Sequence, residues 1–286
     1  MQQQDGNIFD IYELPLGDWV ETGVDWLDAN ASGFFDAVKW PIEQILNGTE
    51  GFLLWLPWYV IFIALIGLGW WKEGWKLALI NGVSLLLIGF LGYWDLTMIT
   101  LSMILTALAF SIVVGVPMGI LAATNDTMEN IIRPLLDAMQ TIHPFVYLVP
   151  IVMFFGIGQV PGTLATIIFA LPPIVRLTNL GIRQVPKEVV EAGRAFGSDD
   201  RQLLFDVQLP LALPTIMAGL NQTLMLALSM VVIVALIAGG GLGQEILRSI
   251  GRIDIGRAVS AGLAVLLLAV VLDRTSQIVD REATAT

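Results

Sequence analysis

The sequence predicts an all-α integral membrane protein of about seven transmembrane helices. A five-helix core is preceded by two peripheral helices and an acidic, amphipathic, extracytoplasmic N-terminal tail. Three observations carry this. Apolar residues make up 56% of the 286-residue chain and charged residues only 14%, against about 25% charged in a soluble domain. Several apolar runs reach the ~20 residues that cross a bilayer. All nine tryptophans lie between residues 19 and 94, a composition shift that marks a boundary near residue 95.

The tail, 1–51, holds ten Asp/Glu and one Lys, which accounts for most of the net charge of −11. It contains no signal-peptide apolar region. Val20, Val24, Leu27, Phe34, Phe35, Val38, Ile42, Ile45 and Leu46 recur at amphipathic-helix spacing. The spacing predicts a short pair of surface helices lying against the membrane. Docking a partner and sensing ionic strength are the alternative roles.

Apolar spans come next, at about 52–71, 75–93, 96–122, 135–158, 161–180, 210–238 and 256–278. The first two form a peripheral unit, 52–94. The other five form the core, 95–279, with 280–286 as a cytoplasmic C-terminal tail. Basic residues set the orientation. With the N-terminus outside, Lys72, Lys76, Arg133, Arg176, Arg183, Lys187, Arg194, Arg201, Arg274 and Arg281 lie inside, and Lys39, Arg248, Arg252 and Arg257 outside. Trp55, Trp58 and Trp94 then mark the outer interface, and Trp70, Trp71 and Trp75 the inner one.

Gly115, Pro117, Gly119, Pro144, Pro150, Pro172-Pro173 and Gly219 interrupt the core spans. Such breaks are tolerated where they face protein or a wet cavity, and small residues let helices approach closely. Close packing accounts for most of the glycines. The proline-bearing breaks at 144–150 and 172–173 are the candidates for lining a path. Candidate path residues are His143, Pro144, Tyr147, Pro172, Pro173, Asn179, Asn221, Gln222 and Ser229, with Thr223 also in reach. The polar ones serve equally well as interhelical hydrogen bonds, each about 0.6 kcal/mol on average. Gly239-Gly240-Gly241-Leu242-Gly243 lacks the Lys-Ser/Thr of a phosphate-binding loop and reads as a tight outer turn.

The longest polar interval after residue 50 is Pro186–Pro214. Pro186 suits a helix start. Val189, Val190, Gly193 and Phe196 share roughly one face, and Gly197 closes the helix in a left-handed conformation. Ser198 or Asp199 caps a second helix bearing Leu203, Leu204 and Val207 on its apolar side. Leu209-Pro210 and Leu213-Pro214 are expected to break the chain before the next span. The result is a helix–turn–helix held at the inner membrane surface.

Within it, Glu191-Ala192-Gly193, then Gly197, then Val207-Gln208-Leu209-Pro210 resembles the EAA loop of ABC importer permeases, roughly E-A-A-x3-G-x9-I-x-L-P. Gly193 stands for the second Ala and Val207 for Ile. The segments IIRPLLDAMQT, PFVYLVPIVMFFGIG, TIIFALPPIVRLT and LPTIMAGLNQTLMLALSMVV resemble the permease of glycine betaine/proline betaine importers, and the likeness runs from about Leu96 to Gln277. The resemblance implies a binding-protein-dependent, type I permease core with the coupling loop at 186–210 after its third span. It implies a homodimer of permeases, two cytoplasmic ATPase subunits and an extracytoplasmic solute-binding protein, in a bacterial inner membrane. Glu191, Ala192, Gly193 and Gly197 would couple to the ATPase, with Leu209 and Pro210 fixing the loop to the next span.

The residues agree with an external energy source. The core spans have no Asp or Glu near their centres; Asp95, Asp137, Asp254 and Asp273 lie at the edges. A lone His143 beside Pro144 more often satisfies a freed carbonyl than relays protons. With no cysteine and one histidine, a thiolate site or a multi-histidine metal site is excluded. A membrane enzyme has little chemistry to draw on, and a self-sufficient secondary transporter lacks intramembrane charge. The chain is expected to bind no cofactor, ATP and Mg²⁺ sitting on the partner ATPase. Its partners are protein and lipid, with no nucleic acid. A cation–π cage for a quaternary ammonium is disfavoured: the core has no Trp, one Tyr, and Phe110, Phe145, Phe154, Phe155 and Phe169. Selectivity is therefore placed in the binding protein. Glycine betaine rests on resemblance, and choline, carnitine or trimethylamine oxide would suit the same architecture.

Overall fold

The computed structural model describes residues 16–285; the side chains of 16, 28, 68, 71–73 and 277–285 are not among the described ones. Every described element is helical. The start of the expected tail (1–15), the side chains of Trp71 and Lys72, and those of the C-terminal tail lie outside the described residues.

The elements are α1 (Leu16–Trp55), α2 (Trp58–Glu73), α3 (Trp75–Phe90), α4 (Trp94–Thr124), α5 (Asp126–Thr141), α6 (Pro144–Phe155) and α7 (Gln159–Arg183). Then come α8 (Lys187–Ala195), α9 (Asp200–Gln202), a π-helical turn (Leu203–Gln208), α10 (Leu209–Val234), a 3-10 turn (Ala235–Ile237), α11 (Gly241–Gly251) and α12 (Ile255–Ala285).

Among the described residues, four helices are long and apolar enough to cross a membrane: Trp94–Thr124, Gln159–Arg183, Asp200–Ile237 and Ile255–Ser276. These match four of the expected core spans. The fifth, 135–158, is not one helix. It breaks between α5 and α6, whose axes meet at 100°. Pro144 bars its predecessor from helical geometry, and His143 accordingly sits at ψ 137°. Charge explains the rest. Asp126, Glu129, Arg133 and Asp137 give α5 a charged face and α6 has only 12 residues, so the two are apolar enough only together, as one bent span or a re-entrant pair. The other proline expectation fails differently. Pro150 lies inside an unbroken α6 and Pro172-Pro173 inside an unbroken, buried stretch of α7, so neither is a break.

The tail also differs from expectation. It is not a pair of short helices but one 40-residue helix, turned by 96° against α2. Its second half lies across α4, α7 and α6 in their halves remote from α8. Leu53 joins the cluster of Met98 and Leu101, Leu46 that of Met103, Leu148 and Ala165, and Ile42 that of Ala107 and Ile167. Phe35 stacks on Phe154 at 4.3 Å. The helix is amphipathic, as its spacing predicts, but its apolar side meets protein at Ile42 and Leu46, not lipid alone.

The core is the α4–α7–α10 trio, and glycines set its spacing. A Cβ on Gly119 would stand 2.5 Å from Thr178 Cβ and 2.8 Å from the Val175 carbonyl; one on Gly219 would meet Leu177 and the Pro173 carbonyl at 3.0 and 3.3 Å. Close approach is therefore what these glycines provide, as expected. The cavity among Thr100, Met103, Ile104, Thr166, Ala227 and Val231 is about 10 Å³, room for one water at most.

Candidate functional site

The 186–210 segment begins with Pro186, whose extended ψ of 133° starts α8. α8 ends in the expected left-handed glycine: Gly197 has φ 89°. The Ser198 N–H reaches back to the Gly193 carbonyl at 3.1 Å and the Gly197 N–H to the Arg194 carbonyl at 3.0 Å, which ties off the last turn. Asp199, not Ser198, caps α9. Its carboxylate accepts from the Gln202 N–H at 2.7 Å, and the Gln202 side chain accepts from the Asp199 N–H at 3.0 Å.

Beyond the cap the expected break at Leu209-Pro210 and Leu213-Pro214 does not occur. The helix runs without interruption from Asp200 to Ile237. The π turn at Leu203–Gln208 lies immediately before Leu209-Pro210. Proline offers no N–H and its ring crowds the carbonyl four residues back; the wider π turn accommodates both. The loop is thereby joined rigidly to α10.

Of the predicted coupling residues, Glu191 and Ala192 are exposed on α8, and Gly193 is turned inward. A Cβ on Gly193 would stand 2.8 Å from Leu203 Cδ1 and 3.9 Å from Val207 Cγ2. α8 is thus seated on the π turn by its one residue without a side chain. Leu209 is half-buried and Pro210 exposed, both at the junction with α10. Phe196 departs from expectation. It does not join an apolar face with Val190 and Gly193 but projects at 92% exposure. Helical spacing misleads there because α8 ends at Ala195, so Phe196 sits on the turn.

Behind the loop lies a cavity of about 570 Å³ lined by residues including Arg183, Lys187, Glu191, Arg194 and Asp200. Arg183 also borders a second cavity, of about 330 Å³, with Glu129, Asp137, Arg176 and Asn179, and anchors an ion-pair network that the sequence does not reveal. Arg183, at the end of α7, pairs with Asp126 at 2.7 Å and Glu129 at 3.0 Å. It also donates to the Ala122 carbonyl at 2.8 Å and to Asn179 Oδ1 at 2.9 Å. Asn179 in turn donates to Glu129 at 3.2 Å, and Arg176 pairs with Asp137 at 2.6 Å. These bonds hold α5 on α7. The available signal is Asp126, Glu129 and Asp137 at helical spacing, but their partners lie some 40 to 60 positions away.

The candidate path residues do not form one constellation. Asn179 belongs to the ion-pair network. His143 caps α6, its Nδ1 accepting from the Phe145 N–H at 3.4 Å, and its ring stacks on Phe145 at 5.0 Å; the role is local, as expected of a lone histidine next to proline, but the partner is a backbone N–H and not the expected carbonyl. Pro144, Pro172 and Pro173 are buried in packing. Ser229 donates within its own helix to the Met225 carbonyl at 2.9 Å. Gln222 and Ser229 are exposed on one face of α10, and Thr223 is buried. Tyr147 Oη, Asn221 Oδ1 and Thr223 Oγ1 are enclosed without a hydrogen-bond partner among the described residues. On the face remote from α8, Gly239-Gly240 makes the expected tight turn, whereas Gly241-Leu242-Gly243 already forms the first turn of α11. Gly240 and Gly241 have φ 81° and 63°, and Thr100 Oγ1 accepts from the Leu242 N–H at 2.8 Å.

Comparison with known proteins identifies the arrangement. Residues 115–284 match the family model described as "Binding-protein-dependent transport system inner membrane component", more than half of the chain. The chain is 53% identical over 280 residues to the glycine betaine/proline betaine transport system permease protein ProW of Escherichia coli (strain K12), spanning 97% of this chain and 79% of that protein. It is 46% identical to the glycine betaine transport system permease protein OpuAB of Bacillus subtilis (strain 168), across 92% and 94% of the two chains. It is 44% identical to the glycine betaine/carnitine transport permease protein GbuB of Listeria monocytogenes serotype 1/2a (strain 10403S), across 94% and 97%. Among solved structures, the MetNI methionine ABC transporter in inward-facing conformations superposes with a TM-score of 0.60 at 22% identity, over 64% of this chain and 92% of that one, a likeness of fold alone. The chain belongs to the binding-protein-dependent ABC importer permeases, in the family of the glycine betaine/proline betaine transport system permeases.

Proposed function

We propose that this permease imports quaternary-ammonium compatible solutes, glycine betaine and proline betaine first, with energy supplied by a separate cytoplasmic ATPase that carries the ATP and Mg²⁺. The single observation that carries the coupling is the continuous helix from Asp200 to Ile237 with α8 seated on it through Gly193. A push on α8 moves α10 as a rigid body. Glu191, Ala192 and Phe196 form the face offered to the ATPase, Gly197 and Asp199 set the loop's shape, and Leu209 and Pro210 join it to the span.

The α8 loop lies in the cytoplasm, the N-terminus outside and the C-terminus inside, as the lysine and arginine distribution favours. The solute path runs between this chain and a second copy. The α4–α7–α10 core is filled, whereas Gln222 and Ser229 sit exposed on one face of α10. A mid-helix glutamine fits a wet protein boundary better than lipid. Solute selectivity resides mainly in the binding protein: the aromatic-lined cavity of Trp58, Phe62, Phe90 and Trp94 lies on α2, α3 and the first residue of α4, not beside Gln222 and Ser229 of α10. The relatives' names support betaines, and the carnitine in one of them keeps that solute in the test.

The test is uptake of labelled glycine betaine into vesicles holding this chain, its ATPase and its binding protein. Each partner is omitted in turn, and choline, carnitine and trimethylamine oxide compete. Uptake requiring both partners and ATP supports the reading. Gradient-driven uptake by this chain alone would overturn it.

A further inference from the structure

On the face remote from α8, the α11–α12 turn carries a combination that packing within this chain does not explain. α11 closes with the Ile253 N–H bonded to the Ile250 carbonyl at 3.0 Å and the Asp254 N–H bonded to the Ser249 carbonyl at 2.9 Å. This closure calls for glycine at the left-handed position. The chain places Ile253 there, at φ 57°, a conformation that β-branched residues avoid. The isoleucine does not compensate by burial: it is 84% exposed, with Ile250 at 60% and Ile255 at 73% beside it. Backbone strain of this kind concentrates at functional positions.

Three arginines surround these isoleucines. Arg248, Arg252 and Arg257 line a groove of about 310 Å³ together with Glu245, Ser249 and Asp254. Arg257 is held by Asp254 at 3.5 Å. Arg248 and Arg252 are exposed and have no ion pair among the described residues. With α8 in the cytoplasm, these are three of the four basic residues on the outer side, where basic residues are disfavoured. Exposed arginine beside exposed apolar side chains is the composition of an interaction hot spot.

The opposite end of α11 is anchored where the helices of the core emerge. A Cβ on Gly241 would collide with Thr100, and one on Gly243 with the Val231 carbonyl. Leu242 is fully buried, and its N–H is held by Thr100. α11 is therefore a short rigid bar. One end is fixed to α4 and α10, and the other presents Ile253 and the arginines.

We propose that the α11–α12 turn is a docking point for an acidic surface of the solute-binding protein, with Ile253 as apolar anchor and Arg248 and Arg252 as charge partners, and that α11 conveys docking to the ends of α4 and α10. The proposal rests on the importer function proposed for this chain. The family's dependence on a binding protein supplies the occupant, and the outer position of the turn supplies the access. The core end of α11 explains why docking there would matter: it is the element that joins the turn to the helices that must move.

The experiment uses the complete permease–ATPase complex in lipid nanodiscs and purified binding protein loaded with glycine betaine. Binding is titrated for the native complex, for Ile253→Gly, and for Arg248→Glu with Arg252→Glu. Ile253→Gly removes the side chain while favouring the turn's own geometry, so melting of the complex should not fall. Each variant is expected to weaken docking about tenfold and to raise, by the same factor, the binding-protein concentration that half-stimulates ATP hydrolysis. Native-like binding by both variants would overturn the docking point while leaving the importer reading intact. A native complex that binds no binding protein would overturn both. If the arginine effect vanishes when anionic lipid is omitted from the nanodiscs, the arginines serve lipid headgroups and the proposal fails.

Discussion

Gly193 and Val207 face one another across the loop that joins α7 to α10. A Cβ on Gly193 would lie 3.9 Å from Val207 Cγ2 and 2.8 Å from Leu203 Cδ1. The two positions where this chain departs from the EAA pattern are thus the two sides of one contact: a smaller residue on α8 meets a smaller residue on the π turn. Gly193→Ala should push α8 outward against a leucine tip that can partly yield. A loss of about 1 kcal/mol is expected, read as a lower melting temperature and reduced uptake. Leu203→Val should restore part of it, since it withdraws the obstructing methyl. A double-mutant cycle on the reconstituted complex checks this.

Gly197 is constrained by its backbone and not by its surroundings, because no atom lies within 4 Å of a Cβ placed there. Gly197→Val should therefore cost about 1–2 kcal/mol through the left-handed conformation alone. Gly197→Asn should be nearly tolerated. Measured ATP-driven uptake should rank the variants in that order; equal uptake by the valine variant would contradict a left-handed coupling turn.

Phe196 offers the sharpest separation of stability from assembly. At 92% exposure it contributes little to the fold, so Phe196→Ala should leave the melting temperature of the isolated permease unchanged. As an anchor on the ATPase it should cost about 2 kcal/mol of assembly. Titration of the ATPase onto permease in nanodiscs reads that difference directly.

Arg183 ties together α4, α5 and α7 through Ala122, Asp126, Glu129 and Asn179. Single exposed ion pairs contribute about 0–1 kcal/mol, but one guanidinium here serves four partners. Arg183→Ala should release α5, with faster amide exchange confined to 126–141. Arg183→Lys should rescue only partly, because a point charge does not reproduce the fork.

Gly119 should tolerate least. Any side chain meets Thr178 at 2.5 Å and the Val175 carbonyl at 2.8 Å, and a backbone oxygen cannot rotate away. Gly119→Val is expected to destabilise by about 3 kcal/mol. Gly89, where a Cβ meets nothing within 4 Å, should accept Ala with little change. Comparing the two melting temperatures tests the close α4–α7 approach.

Much of this is legible in the chain itself. The four long spans are fixed by runs of apolar residues whose length must match a bilayer, and no tertiary contact is needed for that. The loop's spacing places Glu191, Gly197 and Pro210 in order, and Gly197 takes its left-handed conformation because few other residues adopt it cheaply. That His143 acts locally is legible too, since proline dictates its neighbour's backbone, but that it caps α6 through its Nδ1 is not.

The features that sequence alone does not decide depend on which residues meet. Pro210 is expected to break a helix, yet a π turn just upstream absorbs it, and the choice depends on what Leu203 packs against. Phe196 belongs by spacing to an apolar face, but the helix ends one residue earlier. The partners of Arg183 lie far away in the chain, and the stacking of Phe35 on Phe154 turns an expected surface pair of helices into one strap across the core. Local propensity and hydrophobic length are properties of a segment, so the sequence by itself determined a multi-pass permease with a helix–turn–helix between its α7 and α10 spans. Contacts between distant segments are properties of the fold, so only the tertiary structure decided how α8 is joined to α10, what holds α5, and which side chains are left facing outward.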